Sequence, residues 1–399
     1  MLRDALILAG GLGTRLGELT RETPKPMLPA GGVPFLEHVV WNLRRHGIDR
    51  VRFSVGYRAE AVRAHFGDGS AFGVEATYTV EDEPLGTGGG FRLAAADMDA
   101  DEMLVINGDT LFDLNYLDLA LAWRDSGADA ALALREVDDV ARYGRVRLDG
   151  ARVAGFDEKD AAGGPGLVNG GVYALRRSLA AELPDGRSSL ERDLFPRLAS
   201  EGRLAGRGYR GWFIDIGLPE TLAEADAAMR AWRRRPAVFL DRDGVINEDS
   251  AYVHTPEEWR WTPGAVEAVK WLNDAGYLVI VVTNQAGIGR GYYTEAEFAA
   301  FTRWIGERLR ERGAHADATY HCPHHPTAGV GDYLRECECR KPAPGMLLRA
   351  IAEWDVDAAG SLLVGDKPKD LDAATAAGVR SVLYSGGDLL AFVREAVGG

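Results

Sequence analysis

Residues 238–247 read VFLDRDGVIN. An apolar run stops abruptly at Asp241, Asp243 follows two places on, and Gly244 stands behind it. A short apolar run bounded by charge and glycine predicts a buried strand. Carboxylates at the tip of such a strand lie at the ligand-binding edge of an α/β sheet. At D-x-D spacing the two suit different tasks. One can attack phosphorus and become an aspartyl phosphate; the other can protonate the leaving oxygen and later take a proton from water.

Further along, YLVIVVTN (277–284) is a second apolar strand, ending in Thr283 and Asn284, and SLLVGD (361–366) is a third, ending in Asp366 with Asp370 after it. Lys341 lies in CRKP (339–342). Four separate elements thus end in phosphate or metal chemistry. Between the second and third strands sit all the cysteines of the chain, in CPHHP (322–326) and CECRKP (337–342). Cys322, His324, Cys337 and Cys339 have C-x-H…C-x-C spacing, the four-ligand set of a closed tetrahedral zinc site, with His321 and His325 as alternatives to His324. Three thiols would leave one over in a disulfide framework. The apolar run LILAGGLG (6–13) is short, broken by glycines and without a cleavage site. A cytoplasmic chain with reduced thiols is expected.

From residue 237 to about 390 these motifs resemble the haloacid-dehalogenase superfamily. The resemblance implies Asp241 as nucleophile and Asp243 as general acid/base, with Thr283 and Lys341 stabilising the phosphoryl oxygens. It also implies Mg²⁺ held by the carboxylates of Asp241 and Asp366 and the backbone carbonyl of Asp243. Within the superfamily, DRDGVINEDSAYVH, TNQAGIGRGYY, the cysteine loop and VGDKPKD resemble the heptose-1,7-bisphosphate 7-phosphatases. That likeness implies substrate contacts from Asp249 to Tyr252 and from Asn284, Gln285, Arg340 and Lys367. Ala286 departs from the expected serine. Related histidinol-phosphate phosphatases share the zinc loop, so zinc does not itself select the substrate.

The other half opens on ALILAGGLGTRL (5–16), an apolar strand running into a glycine-rich turn, with Lys25 in TPKP (23–26). Gly10, Gly11 and Gly13 let the backbone approach a ligand and offer N–H groups to it. The turn lacks the full G-x-G-x-x-G pattern and the Walker lysine spacing, so neither a dinucleotide fold nor a P-loop follows. EMLVINGD (102–109) ends in Asp109 and WFIDIG (212–217) contains Asp215. Two carboxylates converging there suit Mg²⁺. In order, these motifs with EPLGTGGG, FDEK and VNGGVYAL resemble the sugar-1-phosphate nucleotidyltransferases over residues 1 to about 232. The resemblance implies Gly10, Gly11 and Gly13 around the nucleotide, Arg15 on the β/γ-phosphates and Lys25 on the α-phosphate. It further implies Mg²⁺ on Asp109 and Asp215, Lys159 on the sugar phosphate, Asn169 and Gly171 on the sugar, and Gly86 and Gly88 on the base side.

TLAEADAAMRAWRRR (221–235) reads as a helix with a basic last turn, stopped by Pro236. The expectation is two α/β domains, 1–235 and 236–399, each a mostly parallel sheet flanked by helices: a Rossmann-like nucleotidyltransferase and a HAD-like phosphatase with a zinc loop. A net charge of −14 over 399 residues argues against nucleic-acid and membrane-surface partners and leaves small phosphorylated substrates open. A homo-oligomer is compatible with the composition. One half would make the other's substrate: loss of the C7 phosphate leaves heptose 1-phosphate, to which the first half would transfer GMP from GTP. The alternative pairs a hexose-1-phosphate nucleotidyltransferase with a histidinol-phosphate-type phosphatase.

Overall fold

The computed structural model describes residues 2–11, 13–141, 144–157 and 163–398. The chain divides into two compact units, Met1–Arg230 and Ala231–Gly399, within the helix Pro219–Arg233. Among the described residues no helix is long and apolar enough to cross a membrane.

In the first unit, short strands rich in apolar and β-branched residues alternate with helices. Glu75–Val80, Arg50–Val55, Asp4–Ala9 and Glu102–Asn107 lie side by side in that order, all parallel. Their carboxyl ends bring Gly10, Glu81 and Asp109 to one edge. Beyond them the sheet is mixed. Gly166–Arg176 runs antiparallel to both Glu102–Asn107 and Ala130–Val137, and Leu204–Tyr209 is parallel to the latter. Arg145–Asp149 and Arg152–Phe156 close the edge as a hairpin. The mostly parallel sheet expected from sequence therefore holds for the part carrying the glycine-rich loop and not for the rest. Only two residues, Gly150 and Ala151, separate the hairpin strands, and a connection that short permits only antiparallel pairing. A core of Leu6, Phe91, Val105, Leu132, Tyr173 and Phe195 underlies the sheet.

Two local features position the site. The register of Gly166–Arg176 slips between Asn169 and Val172, and Gly171 adopts φ +72°, a left-handed conformation that favours glycine. A small ladder pairs Thr110–Phe112 with Phe213–Asp215, setting Asp215 opposite Thr110 and so beside Asp109.

The second unit has one five-stranded sheet, parallel throughout, in the order Ala318–Cys322, Leu278–Asn284, Ala237–Leu240, Leu362–Gly365, Arg380–Leu383. Its central strands are nearly continuous Val, Ile and Leu, as strands buried on both faces require. Val238, Leu240, Val279, Val281, Leu362 and Val364 pack with Trp259, Leu272 and Phe301. The helix Glu295–Arg310 starts at a capping box formed by Thr294 and Glu297. Asp241, Thr283, Cys322 and Asp366 all lie at the carboxyl edge of this sheet.

Candidate active sites and metal centre

In the first unit, a cavity of about 470 Å³ is lined by Gly10, Gly11, Gly13, Arg15, Lys25, Gly86 and Asp109. Glu81, Asn107 and Arg187 line it too and were not singled out in the sequence. A Cβ on Gly11 would meet nothing within 4 Å, so its missing side chain leaves room for a ligand. Lys25 is buried between two carboxylates, with Nζ 2.6 Å from Asp109 Oδ2 and 3.7 Å from Asp215 Oδ1. Partial desolvation, and then the neighbouring Asp109, push the Asp215 carboxyl above its ordinary range, although about half of its side chain still meets solvent. The two carboxylates thus share one ammonium at the cavity edge.

Asn169 and Gly171 lie at the strand bulge. The Gly171 N–H donates to Asn169 Oδ1 at 2.9 Å, and a Cβ on Gly171 would come within 3.2 Å of Asn107 Nδ2. Gly88 packs on the loop that carries Ser188. Its N–H donates to the Ser188 carbonyl, and a Cβ there would sit 2.7 Å from Ser188 Oγ. It is glycine because the helix Gly86–Ala95 packs tightly on that loop. Lys159 lies outside the described residues.

In the second unit, Lys341 Nζ is fully buried. It lies 3.0 Å from Asp241 Oδ1 and 2.8 Å from Asp370 Oδ1, and donates to the Val282 carbonyl at 2.8 Å. Asp241, Asp366 and Asp370 offer oxygens within 4.8 Å of one another. Asp366 Oδ1 is buried without a hydrogen-bond partner, which suits an oxygen able to ligate a cation. Burial pushes Asp241 up to about 6 against the lowering effect of Lys341. Sequence reading gave Asp370 no role, although four residues after Asp366 is one helical turn. Gly244 is at φ +90°, and a Cβ there would overlap the Asp366 carboxylate.

The Asp243 carboxylate is held by protein donors. It accepts from the buried Arg242 guanidinium at 2.8 to 3.0 Å, from Asn247 Nδ2 at 3.1 Å and from Gln285 Nε2 at 2.9 Å. Gln285 also donates to Thr283 Oγ1 and accepts from the Tyr293 hydroxyl. Its amide thus also positions Asp243 and Thr283. Asn284 is similar: its amide brackets Lys341, donating to the carbonyl and accepting from the N–H, both at 3.1 Å. Lys367 Nζ bridges Asp249 at 2.9 Å and Asp366 at 3.3 Å. Tyr252 is exposed at φ +54°, edge-on to Tyr292. Arg340 donates to the His324 carbonyl.

Cys322, His324, Cys337 and Cys339 converge. The Sγ atoms of Cys322 and Cys339 are 3.2 Å apart, those of Cys337 and Cys339 3.3 Å, and His324 Nδ1 is 3.3 Å from Cys339 Sγ. His321 turns instead to Glu295, and His325 Nδ1 accepts from the backbone of Thr327 and Ala328. Arg335 Nη2 lies 2.7 Å from His324 Nε2. A metal on Nδ1 would leave the proton on Nε2 and turn Arg335 away.

Comparison with known proteins follows the same division. Residues 4–231 match the nucleotidyl transferase family. The chain belongs to that family. Its nucleotidyl transferase half is 34% identical to HddC from Yersinia pseudotuberculosis, a likeness covering 57% of this chain and 100% of HddC with a TM-score of 0.52. A second HddC structure, complexed with GMP-PN, gives a TM-score of 0.51. Residues 338–391 match the HAD-hydrolase-like family. The second half is 48% identical over 145 residues to the D-glycero-beta-D-manno-heptose-1,7-bisphosphate 7-phosphatase of Vibrio cholerae, spanning 36% of this chain and 78% of that enzyme. The enzyme of that name from Rhodopseudomonas palustris is 44% identical over 162 residues, 41% of this chain and 90% of its own length. Two enzymes thus share the chain, a nucleotidyltransferase and a phosphatase.

Proposed function

We propose that the chain removes the C7 phosphate of D-glycero-D-manno-heptose 1,7-bisphosphate in residues 236–399 and transfers GMP from GTP to the resulting heptose 1-phosphate in residues 1–235, in the cytoplasm. The observation that carries this reading is the pairing itself. A half close to heptose-bisphosphate 7-phosphatases leaves a sugar 1-phosphate, and a half close to HddC, solved with a guanine nucleotide analogue, has a cavity for a nucleotide.

In the phosphatase half, an Asp241 oxygen attacks phosphorus, the bond to the sugar oxygen breaks, and Asp243 gives that oxygen a proton. Water then attacks the aspartyl phosphate, Asp243 takes its proton, and orthophosphate leaves. Lys341 keeps Asp241 ionised in a buried site and faces the phosphoryl oxygens with Thr283. Asp241, Asp366 and Asp370 fit Mg²⁺, which prefers a few carboxylates plus phosphate oxygens and would offset phosphoryl charge.

In the transferase half, a phosphate oxygen of the sugar attacks the α-phosphorus and pyrophosphate leaves. The nucleophile is already an anion, so no general base is needed. Arg15 and Lys25 offset the repulsion between the two polyanions. Asp109 and Asp215 fit a second Mg²⁺ site, which would supply further positive charge. The cysteine cluster fits structural zinc in its donor set; bonds to sulfur of about 2.3 Å would set the sulfurs roughly 3.8 Å apart, so zinc would spread the Sγ atoms, now 3.2 to 3.5 Å from one another, by a few tenths of an ångström.

The test supplies the bisphosphate, Mg²⁺ and each of GTP, ATP, UTP, CTP and dTTP, and follows orthophosphate and pyrophosphate separately. Orthophosphate first, then pyrophosphate with GTP, is expected. Absence of orthophosphate would remove the heptose assignment.

A further inference from the structure

The first unit has a second cavity, of about 590 Å³, larger than the one lined by Gly10 and Lys25. Arg15 lines both. Asp109 and Lys25 line only the first and Asp215 only the second, so the Lys25 cluster is the partition between them. Arg135, near the end of the strand Ala130–Val137, lines the second, with Cζ 4.4 Å from the centre of the Phe213 ring. Stacking fixes the guanidinium and leaves its N–H edges for an acceptor. Among the described residues no carboxylate lies within ion-pair distance of Arg135 or Arg15, and the neighbouring Glu136 is taken by Arg210. In a chain with 60 acidic residues against 46 basic ones, two guanidiniums left over in one cavity point to an anion from outside. Trp212 and Leu218 add an apolar wall, and Thr221 and Glu224 add oxygen acceptors.

We propose that this cavity binds a sugar phosphate, apart from the acceptor position, and that its occupant competes with the nucleotide for Arg15. A phosphate matches the planar fork of Arg135 with two parallel N–H···O bonds, and Arg15 offers a second guanidinium to the same anion. The hydroxyls of a sugar can donate to Glu224 and Thr221 while its C–H face packs on Trp212; a bare phosphate would leave that wall unused. Asn169 and Gly171, expected on the acceptor sugar, are not among the described lining residues, and Asn169 donates to the Tyr173 hydroxyl. An Arg15 drawn to this ligand is withdrawn from the triphosphate, so each ligand weakens binding of the other by the same factor. The effect on turnover rests on the nucleotidyl-transfer reading; the binding does not.

The experiment uses the full chain carrying Asp241→Asn, so that the probes are not hydrolysed. Glucose 6-phosphate and ribose 5-phosphate, as sugar phosphates, and orthophosphate, as the bare anion, are titrated by calorimetry at millimolar concentration, with and without GTP and Mg²⁺. At least one sugar phosphate should bind more tightly than orthophosphate and should weaken GTP binding by about 5-fold or more. Adding Arg135→Met should weaken that sugar phosphate by about 10-fold or more, the worth of hydrogen bonds to a charged group, and should remove its effect on GTP. Ala228→Phe, which fills the cavity from the helix Pro219–Arg233 and keeps both guanidiniums, should do the same. Melting temperatures check that each variant has folded. Sugar-phosphate binding that neither variant changes, or GTP binding indifferent to the bound sugar phosphate, overturns the proposal. So does displacement of the sugar phosphate by heptose 1-phosphate, which would make the cavity part of the acceptor position, and so does orthophosphate binding as tightly as the sugar phosphates. Lack of pyrophosphate from every nucleotide would instead count against nucleotidyl transfer, while the calorimetry still decides whether the cavity binds.

Discussion

Replacing Lys341 by Met should expose how the phosphatase nucleophile is kept ionised. Lys341 Nζ is fully buried between Asp241 and Asp370, at 3.0 and 2.8 Å. Methionine fills much of the same volume but leaves two buried carboxylates without their cation. Breaking a buried pair this way costs about 3–5 kcal/mol. The pH dependence is the sharper signature. Asp241 is raised to about 6 with Lys341 present, so the native protein loses that proton-linked stability between about pH 4 and 6 and is level in this respect above it. Without Lys341 the carboxyl rises further. The folded variant then retains a proton that the unfolded chain releases, and its stability keeps falling above pH 6 by about 1.4 kcal/mol per pH unit for each proton retained. Hydrogen exchange of the strands Ala237–Leu240 and Leu278–Asn284, corrected for intrinsic rates and measured at pH 6 and pH 8 without added Mg²⁺, reads this directly. A destabilisation that is the same at both pH values, or below about 1 kcal/mol, would refute the reasoning.

Asp241→Asn should abolish orthophosphate release and leave pyrophosphate release from supplied heptose 1-phosphate intact; Asp109→Asn should do the reverse, and loss of both activities in either variant would mean that the two sites are coupled. Gly244→Ala should cut phosphatase turnover by at least 100-fold, because its Cβ would overlap the Asp366 carboxylate at a φ of +90°, and wild-type rates would show that the turn can relax. Chelation of the cysteine site should speed hydrogen exchange across residues 322–340 and lower the melting temperature of the second unit, since metal binding and folding are linked; unchanged exchange would argue against a structural metal.

Much of both sites was legible because chemistry sits at strand ends. Asp109, Asp241 and Asp366 each close an apolar run, and a sheet of the expected kind brings such residues to one edge. The same rule would have found Glu81, which closes the strand Glu75–Val80; the glycines after it drew attention away. Other residues have contacts within the protein that the sequence does not announce. Gln285 and Asn284 are polar residues at a strand end and so resemble substrate contacts. Burial makes them satisfy protein groups first, Gln285 holding Asp243 and Thr283, Asn284 bracketing Lys341. Which polar group meets a ligand and which meets a neighbour depends on distances that spacing does not encode. The reversed strand Gly166–Arg176 was hidden likewise, because strand direction leaves no mark on composition.

The two sites solve one electrostatic problem in opposite ways, and the difference follows from who supplies the nucleophile. Both place an ammonium among aspartates in a chain of net charge −14. In the transferase the nucleophile arrives with the substrate as an anion. The protein then needs only to gather positive charge, and Asp215, with a side chain 48% exposed beside Lys25, can stay open to solvent and metal. In the mechanism proposed for the phosphatase the nucleophile is the protein's own carboxylate. A solvated carboxylate is a weak nucleophile, so Asp241 is stripped of water, at the cost of a raised pKa, and Lys341 is fully buried to keep it charged. The same substitution should therefore act differently in the two halves. Lys25→Met should lower pyrophosphate release with little loss of stability, because Asp109 and Asp215 can rehydrate. Lys341→Met should remove activity and stability together, and parallel denaturation of the two variants would show whether burial of the nucleophile is what separates them.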